Sequence, residues 1–273
     1  MKKAQTSILI IGLLFSILPH ILLAQSEKKS PKSTTSLARP KLVVGIMVDQ
    51  MRYDYLYRYY DQYQEGGLKR LMNDGFNCRN NQYHYALTIT AGGHSSVYTG
   101  SIPAISGIVG NDWFDPFSQQ KVYCTDDKSV ATVGSNNPSV GKMSPKNLLV
   151  STMTDQLRIA TNFRSKTIGI AIKVRASILP AGHTANGAYW FDSKTGNFVT
   201  STYYMPALPK WAQDYNDKKK PSEYAKKGWN ALLPSSEYTQ STGDNMPWEG
   251  NLPGSTTPTF PHEIIGRSGD AFG

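Results

Sequence analysis

Residues 42–48 form a short, continuous apolar run, LVVGIMV, in which four of the seven residues are β-branched. Such a run is typical of a strand that is buried on both faces of a parallel sheet. It ends abruptly at Asp49, and α/β sheets hold their ligands at the carboxyl ends of such strands. We therefore predict that the fold begins near Pro40 and that Asp49 lies at this edge of the sheet. A turn or helix-capping aspartate is the alternative, and it is the more common role.

Helix-like and strand-like segments alternate along the residues that follow. Apolar spacing and flanking residues predict helices over 67–73, over 94–98 and from Ser144-Pro145 to about residue 160, and a strand over 167–174. Alternation of this kind predicts an α/β fold in which helices sandwich a mainly parallel sheet.

Composition divides the chain into four segments. Residues 1–24 start with two lysines, continue through an apolar run and close on alanine, which predicts a secretory signal peptide and an exported, periplasmic or secreted protein. The run is too short and too broken for a stable membrane anchor. Residues 25–39 have the composition of a flexible linker. The α/β domain is predicted over 40–200, and a loop-rich cap or insertion over 201–273.

Net charge and cysteine content add two further constraints. The formal net charge is +9, but the lysine runs lack the aromatic residues or the module of a nucleic-acid-binding protein, so we expect no nucleic-acid partner. Cys78 and Cys124 are the only cysteines in the sequence, and they could form a disulfide in an exported protein. They could equally be free, because pairing depends on their geometry.

A hydroxyl-rich, glycine-rich segment, TITAGGHSSVYTG, covers residues 88–100. Thr90 precedes a glycine-rich helix start, where free N–H groups and the helix dipole stabilise an alkoxide and the anion that it attacks. A hydroxyl is a weak nucleophile, and a metal ion is one way to activate it. The alternative is that Thr90 only caps the helix.

Three donors further along the chain could hold an anionic group. Asn111 lies in a glycine-rich turn, and Lys173 and Arg175 follow a predicted strand. Period-two strand geometry would place both cations on one face. A convergent ammonium and guanidinium suit a phosphoryl group. Ordinary surface charge is the alternative.

Taken in order, these motifs resemble the Thr-nucleophile periplasmic alkaline phosphatases, within the type I phosphodiesterase/nucleotide pyrophosphatase group of the alkaline phosphatase superfamily. The resemblance extends from about Lys41 to Tyr204. It rests on the segments VVGIMVDQMRYDYL, TITAGGHSSVYTG, GIVGNDWF, IAIKVR and GAYWFDSKTGNF. It implies an alkaline-phosphatase-like α/β fold. One departure is Gly92-Gly93, where relatives often carry a proline.

The resemblance also implies roles for individual residues. Asp49 would ligate zinc, and Thr90 would coordinate the same zinc and form a phosphothreonine intermediate. Asn111, Lys173 and Arg175 would bind the substrate through its non-bridging phosphoryl oxygens and complete the catalytic set. The Lys-x-Arg pair favours small phosphate monoesters as substrates. A phosphodiesterase or nucleotide pyrophosphatase is the alternative within this class, and a sulfatase would use a different nucleophile.

The resemblance implies two zinc ions, and their remaining Asp and His ligands have no match in this sequence. The histidines after residue 24 lie in none of the expected Asp-x-x-x-His or Asp-His pairs; they are His84, His94, His183 and His262. We expect His94 to pack or cap near the Thr90 loop and His183 to lie in a loop. We therefore expect the sequence to be an inactive N-terminal part of a longer enzyme, with the other ligands beyond Gly273. A non-catalytic phosphate- or zinc-binding fragment is the rival hypothesis.

Overall fold

The computed structural model describes residues 39–264. The predicted signal peptide at 1–24, most of the predicted linker and the last nine residues lie outside the described residues. Contacts between Cα atoms divide the chain after Ile46, so residues 39–46 are described by themselves. No helix among the described residues is long and apolar enough to cross a membrane.

The predicted strand over residues 42–48 is not formed. This segment has no regular secondary structure, and Leu42 and Ile46 are 78% and 79% exposed. A strand requires a neighbouring strand that pairs with its N–H and C=O groups, whatever its composition. An apolar run by itself is therefore not sufficient evidence for a strand.

Most of the described helices are short. The helix expected over 67–73 is confirmed, and its bounds are Gly67–Asp74. The helices are α1 Tyr55–Arg58, α2 Gly67–Asp74, α3 Thr90–Thr99, α4 Pro103–Ser106, α5 Met153–Ala160, α6 Val174–Ala181, α7 Lys210–Asp217 and α8 Lys220–Lys227. Two 3-10 turns cover Tyr60–Gln62 and Ser235–Glu237.

Helix α5 begins later than the sequence predicts. A proline at a first helical position favoured a start at Ser144, but the helix begins at Met153. Thr152 is its N-cap: the Thr152 Oγ1 accepts a hydrogen bond from the Asp155 N at 3.0 Å, and the Asp155 Oδ2 accepts one from the Thr152 N at 3.0 Å. This reciprocal capping box satisfies two N–H groups at the helix start and thereby fixes it.

The described strands form two sheets. Their bounds are β1 Asp112–Asp115, β2 Gln120–Tyr123, β3 Thr132–Val133, β4 Ile168–Ala171, β5 Gly187–Asp192 and β6 Asn197–Ser201. Strands β1 and β2 form an antiparallel hairpin, and the other four have the order β3-β6-β5-β4. The α/β class is confirmed. The four-stranded sheet is mixed, because only β4 and β5 pair in parallel and the other pairings are antiparallel.

Helix α6 connects the parallel strands β4 and β5 and contributes to two apolar clusters. Leu179 packs in the first cluster, which contains Ala91, Ile108, Cys124, Leu148 and Leu179. Ile178 packs in the second, which contains Ile178, Ala181, Ala188, Trp190 and Val199. The buried residues of α6 are 177–181, so its C-terminal part is held between the two clusters.

The described part of the predicted loop-rich segment consists of α7, α8, a 3-10 turn and irregular chain. Helix α7 docks on strand β6 through Asn216, whose amide donates to the Phe198 O and accepts from the Phe198 N, both at 2.8 Å. The role of this segment as a cap or insertion remains a prediction.

The two cysteines are free. Cys124 is buried in the first apolar cluster and Cys78 is exposed, so the structure has the unbridged arrangement. Burial raises the pKa of the Cys124 thiol to about 12, which keeps it protonated.

Candidate active site

Thr90 is the first residue of helix α3, and its side chain faces a carboxylate. The Thr90 Oγ1 donates a hydrogen bond to the Asp49 Oδ2 at 3.2 Å. The preceding residue, Ile89, has extended backbone and supplies no capping side chain. The first turn of α3 therefore presents the positive end of the helix dipole beside this hydroxyl.

Helix α3 begins four residues before the predicted start at His94, and it includes Gly92-Gly93. These glycines are buried, and a Cβ at Gly92 would lie 3.3 Å from the Leu87 O. The helix was predicted to start only after these glycines, and glycine is unfavourable in helix interiors. The close approach of neighbouring backbone explains why a helix with small residues forms here.

Asn111 is joined to the same helix start. Its Oδ1 accepts a hydrogen bond from the Ala91 N at 3.0 Å. Because a backbone N–H can only donate, this bond fixes the oxygen of the amide toward the helix. The Nδ2 donor then faces away, and it has no partner among the described residues.

His94 supports the first turn of α3 from inside. Its ring is buried, and its Nδ1 donates to the Thr90 O at 2.8 Å. Burial lowers the pKa of His94, and the neutral ring is therefore favoured. The expectation that His94 packs or caps near the Thr90 loop is confirmed.

Arg175 lies at the second position of helix α6 and is partly buried. Its Nη1 donates to the Tyr123 hydroxyl at 3.1 Å, and its Nε is buried without a hydrogen-bond partner among the described residues. A buried guanidinium N–H without an acceptor is costly, and a bound anion would supply one. Tyr123 was not predicted from the sequence, because no motif links two residues that are 52 positions apart.

Lys173 is the N-cap of helix α6, and its side chain is exposed. The two cations therefore lie at the start of a helix. The prediction that the period of a strand places them on one face was wrong. Strand β4 ends at Ala171, two residues before the cap. Lys173 and Arg175 still add positive charge where the α6 dipole is positive. Among the described residues, the Lys173 ammonium has no hydrogen bond or ion pair with the other predicted site residues.

The spacing of two oxygens is consistent with part of a zinc site. Oxygen ligands about 2.0 Å from a tetrahedral zinc ion are about 3.3 Å apart, and the Asp49 Oδ2 and Thr90 Oγ1 are 3.2 Å apart. Zinc takes three or four protein ligands. Within residues 39–264, no group of three or more His, Cys, Asp or Glu side chains could hold a metal. The described residues thus fit zinc as two ligands of an incomplete set.

His183 is partly buried and belongs to a separate network around the buried Asp155. It lies in a loop, as expected; its Nδ1 is 3.2 Å from the Asp155 Oδ2 and its Nε2 is 2.9 Å from the Leu148 O. Both partners are acceptors, so the protonated ring can donate to both of them, whereas a neutral ring can donate to only one. The hydrogen bond with Asp155 raises the pKa of His183. This network was not predicted from the sequence.

A hydroxyl, an amide and a guanidinium lie at or beside two helix starts in an α/β fold. This arrangement is typical of α/β enzymes that bind anions at helix N-termini. The model of the type I phosphodiesterase / nucleotide pyrophosphatase family matches residues 43–259, and the chain belongs to this family.

Alkaline phosphatases are among its relatives. Alkaline phosphatase PhoV of Synechococcus elongatus is 55% identical over 244 residues, which are 88% of this chain and 44% of PhoV. Alkaline phosphatase PafA of Elizabethkingia meningoseptica is 53% identical over 240 residues, again 88% and 44%. The crystal structure of wild-type PafA matches with a TM-score of 0.81 at 55% identity, over 84% of this chain and 44% of that one. The chain thus spans about 44% of the length of these relatives.

Proposed function

We propose that the full-length protein is a zinc-dependent phosphate monoester hydrolase that acts through a phosphothreonine intermediate. The observation that carries this proposal is the pairing of the Thr90 hydroxyl with the Asp49 carboxylate at the start of helix α3. Its substrates are small-molecule phosphate esters.

Thr90 is the nucleophile of the proposed reaction, and Asp49 and Thr90 would hold one zinc ion. When bound, zinc supplies a Lewis acid that lowers the pKa of a hydroxyl. The Thr90 Oγ1 forms a bond to phosphorus as the bond from phosphorus to the ester oxygen breaks, and the leaving alkoxide takes a proton. Water then attacks the phosphothreonine, which releases inorganic phosphate and restores the Thr90 hydroxyl. Neutral His94 holds the first turn in place through the Thr90 carbonyl.

Three side chains would hold the non-bridging phosphoryl oxygens. The Nδ2 of Asn111 is oriented away from the helix by the bond from Ala91 to its Oδ1. The Nε of Arg175 is buried and has no partner among residues 39–264. Lys173, at the cap of α6, adds a second cation. These donors stabilise negative charge that is spread over the phosphoryl oxygens in the transition state.

A mutant of PafA supports these assignments. In its crystal structure a threonine, an asparagine, a lysine and an arginine are replaced, and successive replaced positions are 21, 62 and 2 residues apart. The same residue types have the same separations in this chain, at Thr90, Asn111, Lys173 and Arg175. That structure matches with a TM-score of 0.81 and 53% identity.

The presence of two cations, Lys173 and Arg175, favours monoesters over diesters, because a monoester carries an additional negative charge. A phosphodiesterase or nucleotide pyrophosphatase is the second candidate, and the name of the matching family favours it. The basic, apolar and small-residue pattern of the first 24 residues further supports export to the periplasm or beyond.

The experiment that tests the proposal is hydrolysis of p-nitrophenyl phosphate by the protein expressed from the complete gene, with and without zinc. Thr90→Ala should abolish the zinc-dependent activity. Thr88→Ala, which removes an exposed hydroxyl two residues earlier, should retain it. Activity that persists in Thr90→Ala, or that is independent of zinc, would rule out the proposed reaction.

A further inference from the structure

The hairpin of β1 and β2 joins two of the groups that we propose to hold the phosphoryl group, so this inference rests on the proposed function. Strand β1 begins directly after Asn111, and β2 ends at Tyr123. The Cys124 N donates to the Asn111 O at 2.9 Å, and Asp112 is paired with Tyr123. The hairpin register therefore fixes Tyr123 relative to Asn111.

Tyr123 is anchored at its backbone and at its ring. Its N donates to the Asp126 Oδ2 and its O accepts from the Asn147 Nδ2, each at 3.3 Å. Its ring packs against the first apolar cluster, which also contains Ala91 of helix α3 and Leu179 of helix α6. A tyrosine held in this way has little freedom at χ1 and χ2, so the position of its hydroxyl is well defined.

Arg175 is held by that hydroxyl. Among the described residues, the Tyr123 hydroxyl is the one hydrogen-bond partner of the Arg175 guanidinium, at 3.1 Å from Nη1. Burial raises the pKa of Tyr123, so the phenol is neutral at ordinary pH and binds Arg175 without a competing negative charge. A planar guanidinium that is fixed at one nitrogen keeps its other donors, including the buried Nε, for an anion.

We propose that Tyr123 is a positioning residue for the phosphoryl site. Its hydroxyl sets the orientation in which Arg175 meets the phosphoryl oxygens, and the hairpin links this orientation to the position of Asn111. Asn111 is in turn bonded to Ala91, the residue after Thr90. The chain of contacts thus connects the arginine to the start of the helix that carries the nucleophile.

A double-mutant cycle on the full-length, zinc-loaded protein tests this role. Tyr123→Phe removes only the hydroxyl and should lower kcat/KM for p-nitrophenyl phosphate by roughly tenfold or more, as expected for a lost hydrogen bond to a charged group. In an Arg175→Ala background, Tyr123→Phe should lower kcat/KM by less than about twofold, because the guanidinium that Tyr123 positions is absent. Tyr189→Phe, a buried tyrosine on β5 whose hydroxyl contacts Met205, is the matched control and should change neither value.

The same cycle measured by calorimetric binding of inorganic phosphate requires no turnover. Tyr123→Phe should weaken phosphate binding in the wild-type background and leave it unchanged with Arg175→Ala. Equal losses in both backgrounds, or phosphate binding that is indifferent to Arg175, would overturn the inference. The two proposals can fail separately. If phosphate binding is lost in Tyr123→Phe only when Arg175 is present, but the protein has no zinc-dependent hydrolysis, the role of Tyr123 is supported and the proposed reaction is contradicted.

Discussion

Lys173 and Arg175 are two residues apart, yet their side chains have different surroundings. Arg175 is partly buried and is held by a tyrosine hydroxyl, whereas Lys173 is exposed at the helix cap. A fixed, partly desolvated cation stabilises developing charge more strongly than a mobile, hydrated one. If both bind the phosphoryl group, Arg175 should contribute more.

We expect Arg175→Ala to lower kcat/KM for a phosphate monoester by about 100-fold or more, in the range for removal of one preorganised donor. Lys173→Ala should lower it by roughly tenfold, because an exposed ammonium is screened by solvent. Both losses should be smaller for a phosphate diester, which lacks one negative charge. Steady-state kinetics with both substrates measure this difference, with Lys218→Ala as the exposed-lysine control. Equal losses on the two substrates would contradict the monoester assignment.

Individual candidate residues could be proposed from the sequence where they belong to a recognisable motif. The segment around Thr90 identified the hydroxyl, and the contact of Thr90 with Asp49 agrees with the expected neighbourhood. Tyr123 was not predictable, because its contact with Arg175 depends on how a hairpin and a helix pack. Local patterns report on neighbours in sequence, whereas this contact is set by tertiary structure.

At the scale of elements, the position of Arg175 depends on how closely helix α6 approaches strand β4. Gly169 lies on β4, and a Cβ at this position would overlap the Ser177 carbonyl oxygen and lie 2.9 Å from the Ala181 Cβ. The helix therefore packs at a distance that only glycine permits. The strand could be predicted here from its apolar spacing, but neither helix α6 nor its close approach to the strand was predicted.

Gly169→Ala should force β4 and α6 apart and lower the free energy of unfolding by about 2 kcal/mol, which is typical of overpacking. Chemical denaturation measures this change. Gly243→Ala is the matched control, because nothing lies within 4 Å of the Cβ that it adds. We expect its effect to be within about 0.5 kcal/mol. Equal stabilities of the two variants would show that α6 is free to shift.

The capping box of α5 also joins two elements, because Asp155 contacts His183 in the loop after α6. Burial acts to raise the pKa of Asp155, but hydrogen bonds from His183, Thr152 and Thr184 outweigh it and hold the pKa well below its usual range. The Asp155 contribution to stability is therefore present above its ordinary pKa and is lost only in strong acid. The pKa of His183 is raised, so its contribution is complete below its ordinary pKa of 6.5 and is lost as pH rises through the raised value.

The melting temperature should consequently fall by a few degrees as pH rises from about 6.5 to 8.5, a range in which few groups other than histidine titrate. His183→Gln should largely remove this dependence, because glutamine has no proton to lose. Differential scanning calorimetry over this range measures both slopes. Identical slopes for the two proteins would show that His183 is neutral when folded.

At the scale of the whole molecule, the α/β class and the family were predictable from the order of motifs, whereas the strand pairing was not. Valine and isoleucine predicted a buried strand over residues 42–48, but the structure leaves these apolar side chains largely exposed. Ile168, Ile170 and Ile172, in and just after β4, are also more than half exposed. Composition indicates which residues tend to be buried, but burial itself requires a structure that covers them.

The proposed metal site leads to a prediction for the 273-residue chain by itself. The described residues offer zinc one carboxylate and one hydroxyl, and a neutral hydroxyl is a poor ligand. We therefore expect zinc to bind this chain with a Kd above about 1 μM, more weakly than a four-ligand site whose affinity corresponds to 10–16 kcal/mol. We also expect no zinc-dependent hydrolysis of p-nitrophenyl phosphate above that of Thr90→Ala.

Calorimetric zinc titration and the hydrolysis assay, after removal of host phosphatases, measure the two quantities separately. Asp49→Asn is the matched variant, because it removes the carboxylate charge while preserving the size of the side chain. It should weaken the residual zinc binding of the 273-residue chain and abolish zinc-dependent activity in the protein expressed from the complete gene. Tight zinc binding or robust activity from the 273 residues would mean that this chain assembles a metal site of its own, with ligands other than the pair at Thr90.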